Sequence, residues 1–222
     1  AKTRIRPDVR LNRIIRDIPN VSIVGGNKIT NLRQVIKSKM NNEGLKCHCI
    51  RCREIQGGEY LKENLELRVT RRIKADCSEF FVSFNDKVND KIIGLARLRL
   101  LNENSDSLPL LKGKAIIREL HVHGATVKTN TSDRFKPQHS GLGKKLLAKC
   151  EEIALRYNYN QLCVTSGEGV IRYYEKRGFH LVEDTYMGTT YHYMIKDIYS
   201  IPTYIQQIFL SSILVLIFAI IF

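Results

Sequence analysis

Cys47, Cys49 and Cys52 place three thiols within six residues. Thiolates this close converge on one tetrahedral ion if the backbone turns sharply, and zinc suits sulfur ligands in a reducing compartment. The spacing is tighter than a paired CxxC arrangement, so a fourth ligand has to come from elsewhere, with His48, Cys77 and a distant His as candidates. The bland alternative is a chance group of free thiols. A second signature is Gln138-His139-Ser140-Gly141-Leu142-Gly143-Lys144 at the head of an amphipathic helix. Glycines allow close backbone approach, a helix N-terminus offers unpaired N–H groups, and Lys144 and Lys145 add charge, a combination suited to a pyrophosphate. The same residues also read as an ordinary loop entering a helix. Third, Glu119, His121 and His123 alternate along a strand and share one face, with Leu120 and Val122 on the other. That polar set offers proton acceptors to a cleft, or hydrogen-bonded structural residues.

The elements that must position these groups follow from periodicity. Thr30 or Asn31 caps a helix through Asn42, with Leu32, Val35, Ile36 and Met40 on one face and Gly44 as its stop. Strands are predicted at 65–70, 79–84, 92–100 and 115–122, with Asn85-Asp86 and Asn89-Asp90 marking a turn, an antiparallel meander. A loop over 123–137 leads to the helix on which Leu142, Leu146, Leu147, Cys150, Ile153, Ala154 and Tyr157 recur. A strand at 161–165, a short helix at 170–177 closed by Gly178, and a strand at 190–195 follow. Strand, helix, strand implies one parallel crossover.

The chain has 222 residues, 43% hydrophobic and 26% charged, which excludes a disordered tail, and its 14 Gly and 5 Pro show no period, which excludes collagen-like and solenoid architectures. Thirty-six Lys and Arg against 22 Asp and Glu leave +14. Residues 1–74 hold 18 basic and 7 acidic side chains, a net +11, whereas residues 75–197 hold 18 and 15, a net +3. The first third is therefore the expected polyanion binder, unless the charge is merely a solvated basic surface. Cys150 and Cys163 read as small core hydrophobes, and no secretory signal is visible. The chain begins at Ala1 rather than Met, as a processed product or an excerpt would.

After Asp197 no charged residue follows. A helix from Pro202 to Phe222 would have 21 residues and span about 31 Å, close to a hydrocarbon core of roughly 30 Å. The sequence thus predicts a transmembrane tail anchor over 198–222, flanked by interfacial Tyr199 and Tyr204, with the rest facing the cytosol from the mitochondrial outer membrane or the endoplasmic reticulum. A buried terminal helix is the alternative.

In combination, QxxGxG after a central strand, a parallel strand, and Tyr173-Tyr174 ahead of Gly178-Phe179 resemble the GCN5-related N-acetyltransferase fold. More narrowly, Ile117-Arg118-Glu119-Leu120-His121-Val122-His123-Gly124, Gln138 to Gly143 and Tyr173-Tyr174-Glu175-Lys176-Arg177-Gly178-Phe179 resemble the family of Elongator catalytic subunits, tRNA-modifying acetyltransferases. The likeness extends through Arg16-Asp17-Ile18-Pro19, Asn31-Leu32-Arg33 and Cys47 to Glu54, about residues 10–196.

The resemblance implies an α+β fold with a mixed, mainly antiparallel sheet and one parallel crossover over 65–197, preceded over 1–64 by the end of a radical S-adenosylmethionine region and a small helical zinc linker held by Cys47, Cys49 and Cys52. It implies acetyl-CoA bound by Glu119, Leu120, His121, Val122, Gln138, His139, Ser140, Gly141, Leu142, Gly143, Lys144, Tyr173 and Tyr174. One tyrosine would be the general acid, although either could simply fill core, and Glu119 is a base candidate beside His121 and His123. Implied partners are tRNA and other Elongator subunits, with membrane contact through the tail. One departure stands out: no Cys precedes Cys47, so the iron–sulfur cluster and S-adenosylmethionine of the family's radical domain have no site in this chain. The expected function is acetyl-CoA-dependent modification of the tRNA wobble uridine; a histone-type protein lysine acetyltransferase and a non-catalytic, membrane-tethered RNA-binding module are the alternatives.

Overall fold

The computed structural model describes residues 2–12, 20–26, 28–29, 31–58, 60–105, 107–123 and 141–199. The first helix, α1 (Leu32–Asn42), stops where expected: Gly44 takes φ +67° and Leu45 N–H reaches back to Met40 O at 2.8 Å, a left-handed cap that glycine allows at no steric cost. Of its predicted apolar face only Met40 is buried, and Val35 is exposed.

A single turn, α2 (Ile50–Arg53), precedes the strands. All four strands predicted for the meander form, as β1 (Leu65–Ile73), β2 (Cys77–Asp86), β3 (Lys91–Leu101) and β4 (Ala115–Val122). Asp86 makes the β2–β3 turn, its Oδ1 accepting Val88 N–H at 2.9 Å and Asn89 N–H at 3.3 Å. Then come α3 (Leu142–Arg156), β5 (Gln161–Val164), α4 (Ile171–Glu175), β6 (His180–Tyr186) and β7 (Thr189–Asp197). The strands make one sheet in the order β1-β2-β3-β4-β5-β7-β6. The expected parallel crossover is the β4–β5 pair, in register Ala115 with Leu162 to Ile117 with Val164, whereas β7 pairs antiparallel with both β5 and β6. Strand β6 is absent from the sequence expectation; it joins β7 through Met187 and Gly188, both at positive φ, as a two-residue hairpin turn requires.

The chain divides into two compact units. One comprises residues 1–72, 80–97 and 119–147; its core groups Ile50, Phe81, Ile92 and Leu95, and separately Ile55, Ile93 and Leu142. The other comprises 73–79, 98–118 and 148–222, around Cys77, Leu101, Ile116, Cys163, Tyr193 and Ile195. Helix α3 buries Leu142, Leu146, Leu147, Cys150, Ile153 and Ala154 as its period predicts. It ends at Asn158, φ +63°, with Tyr159 N–H bonded to Ala154 O at 2.9 Å.

In the second unit Glu79 ties three cations together. Its carboxylate accepts Lys74 Nζ at 2.8 Å, Arg99 Nε at 3.0 Å and Arg118 Nη1 at 3.1 Å. Burial alone would raise its pKa, but the hydrogen bonds from Lys74 and Arg99 outweigh burial and hold it down to about 2.

The membrane expectation is corrected. Among the described residues no helix is long and apolar enough to cross a membrane. The longest, α3, has 15 residues, about 22 Å at 1.5 Å per residue against roughly 30 Å of hydrocarbon, and it exposes Lys144, Lys145, Glu152 and Arg156. Ile198, the first residue of the expected tail segment, is buried and its N–H bonds Asn160 O at 2.8 Å. A tail-anchored, cytosol-facing location therefore has no support in the structure; residues 200–222 lie outside the described residues.

Replacing Glu79 by Gln strands two guanidinium groups and an ammonium, and we expect a loss of about 2 kcal/mol at neutral pH. Because its carboxyl pKa is depressed, the wild-type stabilisation is complete above pH 4.5 and is lost as pH falls toward 2. Urea unfolding from pH 7 to 2 checks this: the difference between the two proteins should shrink on acidification.

Candidate functional site

The end of β4 carries the polar face predicted from alternation: Glu119 is half-buried, His121 exposed, and Val122 half-buried against the position of Gly94. Gly94 on β3 is needed there, since a Cβ would lie 3.2 Å from His121 O and 3.2 Å from Leu146 Cδ1. The Glu119 carboxylate is not free. Arg97 Nε donates to it at 2.8 Å and Arg10 Nη1 stands 3.9 Å away. Arg97 in turn reaches Asp8 O at 2.8 Å. The His123 backbone N–H bonds Ile93 O at 2.8 Å, while its ring Nε2 is buried with no hydrogen-bond partner among the described residues. Burial, then the charges of His121 and Arg10, push the imidazole pKa down to about 4 against an opposing pull from Glu119. The imidazole is therefore neutral at neutral pH.

Helix α3 begins one residue after Gly141, whose φ is +71° and whose Cα has nothing within 4 Å of a would-be side chain. Lys145 N–H closes the first turn on Gly141 O at 3.1 Å. Leu142 is buried with Ile55 and Ile93, Gly143 is half-buried, and Lys144 is exposed. The helix start is thus pinned by one leucine while no described residue fills the space beside Gly141, a geometry that fits a diphosphate. Gln138, His139 and Ser140 lie outside the described residues, as do Arg16 to Pro19.

In the other unit, Tyr173 and Tyr174 share α4. Tyr174 is buried, edge-on to Phe179 at 5.4 Å, and burial pushes its hydroxyl up to about 12. The Tyr173 ring lies under the Arg177 guanidinium, 3.5 Å from carbon to ring centre, and its hydroxyl is buried with no hydrogen-bond partner among the described residues. Both hydroxyls stay protonated at neutral pH, as proton donors must.

The three cysteines converge because Cys49 precedes α2 in extended conformation, so that Cys52 N–H folds back onto Cys49 O at 3.1 Å. Their sulfurs all lie within 4.8 Å of one another, and no fourth ligand atom joins that group among the described residues. The donor set fits a thiophilic metal. His48 instead faces Asp90, Nδ1 to Oδ2 at 3.8 Å, and Cys77 is buried in the core of the other unit. Burial and the neighbouring Cys49 and Cys47 push Cys52 up to about 11, while at Cys49 the hydrogen bonds from Cys52 and Cys47 overcome burial and lower the pKa.

Residues 49–179 match the Acetyltransferase (GNAT) family. This chain belongs to that family. It is also 36% identical over 190 residues to a tRNA uridine(34) acetyltransferase of Dehalococcoides mccartyi, which covers 82% of this chain and 40% of that protein. Elongator complex protein 3 of Homo sapiens is 34% identical over 182 residues, 80% of this chain and 33% of that one. A solved structure of the archaeal Methanocaldococcus infernus Elp3 with residues 1–46 deleted superposes with a TM-score of 0.69 at 31% identity, covering 89% of this chain and 46% of that one. The resemblance to Elongator catalytic subunits therefore holds, and the chain spans about a third to two fifths of the length of these curated relatives.

Sequence reasoning missed Arg97, Gly94 and Arg10. Arg97 left a signal: with Arg99 it interrupts the otherwise apolar run from Ile92 to Leu101.

Loss of one thiol from the cluster should be readable directly. We expect Cys49→Ser to lower bound zinc at least tenfold after dialysis, measured by elemental analysis; undiminished zinc would exclude Cys49 as a ligand.

Proposed function

We propose that this chain is the acetyl-CoA-dependent acyltransferase part of an Elongator-type enzyme that modifies the tRNA wobble uridine. The observation that carries the reading is the N-terminus of α3 at Gly141, which no described residue fills, together with a β4 that runs on to Val122 after its pairing with β5 ends at Ile117. Amides at such a helix start hold a diphosphate, and an unpaired strand edge has N–H and C=O groups to align an extended pantetheine. Glu119 to Val122, Gly141 to Lys144, and Gln138 to Ser140 with them, are the residues we assign to the cofactor. When bound, acetyl-CoA supplies a thioester activated for acyl transfer. We assign to one of Tyr173 and Tyr174 the proton for the departing sulfur, and to the end of β4 the acceptance of one from the acceptor.

The substrate assignment rests on charge and on the relatives' names. A net +11 over residues 1–74 suits an RNA backbone. We assign zinc to Cys47, Cys49 and Cys52, as a structural ion that fixes the linker over 1–64 ahead of the acetyltransferase part over 65–197.

Two measurements test this. Gly143→Glu puts a carboxylate at the proposed diphosphate cradle, and we expect acetyl-CoA affinity to fall at least tenfold by calorimetry; an unchanged affinity refutes the cradle. Free CoA, quantified by chromatography, should rise when tRNA is added to enzyme and acetyl-CoA. Release that answers to a lysine peptide and not to tRNA would instead establish a protein acetyltransferase.

A further inference from the structure

Beside the cysteine turn lies a cavity of about 410 Å³, a size common among ligand sites. Among the described residues its charged lining is Lys2, Lys37, Lys46, Arg53 and Lys91 against one carboxylate, Asp90. Lys37 and Asn41 stand one turn apart on α1, on either side of the buried Met40. The left-handed Gly44 then turns the chain, and Leu45 and Lys46 form the next part of the wall before Cys47. Asp90 does not neutralise the lysines, because other groups already hold it: Arg53 Nη1 donates to it at 3.1 Å, Arg68 Nη1 stands at 3.5 Å and His48 Nδ1 at 3.8 Å. Lys91 Nζ donates to Cys52 O at 3.4 Å, which leaves two of its three N–H groups for another acceptor. Arg53 is buried, and its Nε has no hydrogen-bond partner among the described residues. Lys2, Lys37 and Lys46 form no ion pair with a described residue. Like charges lining one concavity repel each other and focus their field into it, which draws in an anion. A zinc ion on three thiolates has one net negative charge, too little to answer this lining.

We propose that this cavity takes a phosphate of an RNA backbone, as a second anion site apart from the helix start assigned to acetyl-CoA. This rests on the function proposed above and deepens it, by locating where the basic first third grips its polyanion. The cavity shares no residue with the cofactor assignment. Lysine ammonium groups meet a phosphodiester as point charges, and the asparagine amides of Asn41 and Asn89 on the same wall add donors for a phosphate oxygen or a ribose hydroxyl. Contacts of this kind fix the register of the nucleic acid and do not read its bases. The cavity therefore holds the RNA without choosing its sequence.

The test replaces two exposed cavity lysines in the full chain, Lys37→Gln with Lys46→Gln, and compares them with an equal change of charge at exposed lysines outside the cavity, Lys62→Gln with Lys87→Gln. Affinity for tRNA is read by fluorescence anisotropy from about 50 to about 200 mM salt. We expect the cavity pair to lower affinity at least tenfold at the low-salt end and to flatten the salt slope by about one to two, and the outside pair to lower affinity less than about threefold. Lys37→Glu with Lys46→Glu should bind more weakly still. Acetyl-CoA affinity by calorimetry and bound zinc by elemental analysis should stay within about twofold of the wild type. Equal losses from the two pairs would mean diffuse charge and overturn the inference. A fall in acetyl-CoA affinity or in zinc would also overturn it, by giving these lysines to the cofactor's phosphates or to the thiolates. Should the wild type bind no tRNA, the proposed function falls too, whereas wild-type binding that survives undiminished in the cavity pair removes the cavity alone.

Discussion

A strand buried along nearly its whole length can carry a charge only where that charge is answered on the spot. Strand β3 is such a strand, with Ile92, Ile93, Leu95, Ala96, Leu98, Leu100 and Leu101 all inaccessible. Its two arginines are each met by a carboxylate, Arg97 by Glu119 and Arg99 by Glu79. Breaking either pair would leave a partly buried guanidinium without its carboxylate, which is costly. The positions of β4 side chains are therefore fixed by charge as much as by strand pairing. The end of β4 can hold a histidine and a carboxylate side by side because the Arg97–Glu119 pairing is already settled inside the unit.

Much of this was legible. The helical spacing on 142–157 reflects burial of one face, and the apolar runs of β2 and β3 reflect strands buried on both faces, signals that periodicity and composition report directly. Strand β6 was not legible: His180, Glu183, Thr185 and Tyr186 are exposed, so its apolar signal is too thin to stand out from a loop. The acidic partner of Arg97 was named as a base candidate from its place on the strand. Nothing in spacing could reveal that Arg10, far ahead in the chain, would reach it, because such pairings are set by tertiary closure. Similarly, Gly94 reads as an ordinary strand residue until the approach of Leu146 and the His121 carbonyl is seen. The apolar tail marks the limit of composition: Ile198, at the head of the expected tail segment, is drawn into the fold.

The thiol distribution adds a chemical consequence. Cys49, Cys77, Cys150 and Cys163 are sealed from solvent, whereas Cys47 and Cys52 retain access. An oxidant or alkylating agent meeting the folded, metal-free protein will therefore react first at the cluster. Loss of sulfur ligands there would unfasten the turn that seats Ile50 in its core, so oxidative damage would register as local unravelling near α2, with the cysteines of α3 and β5 untouched.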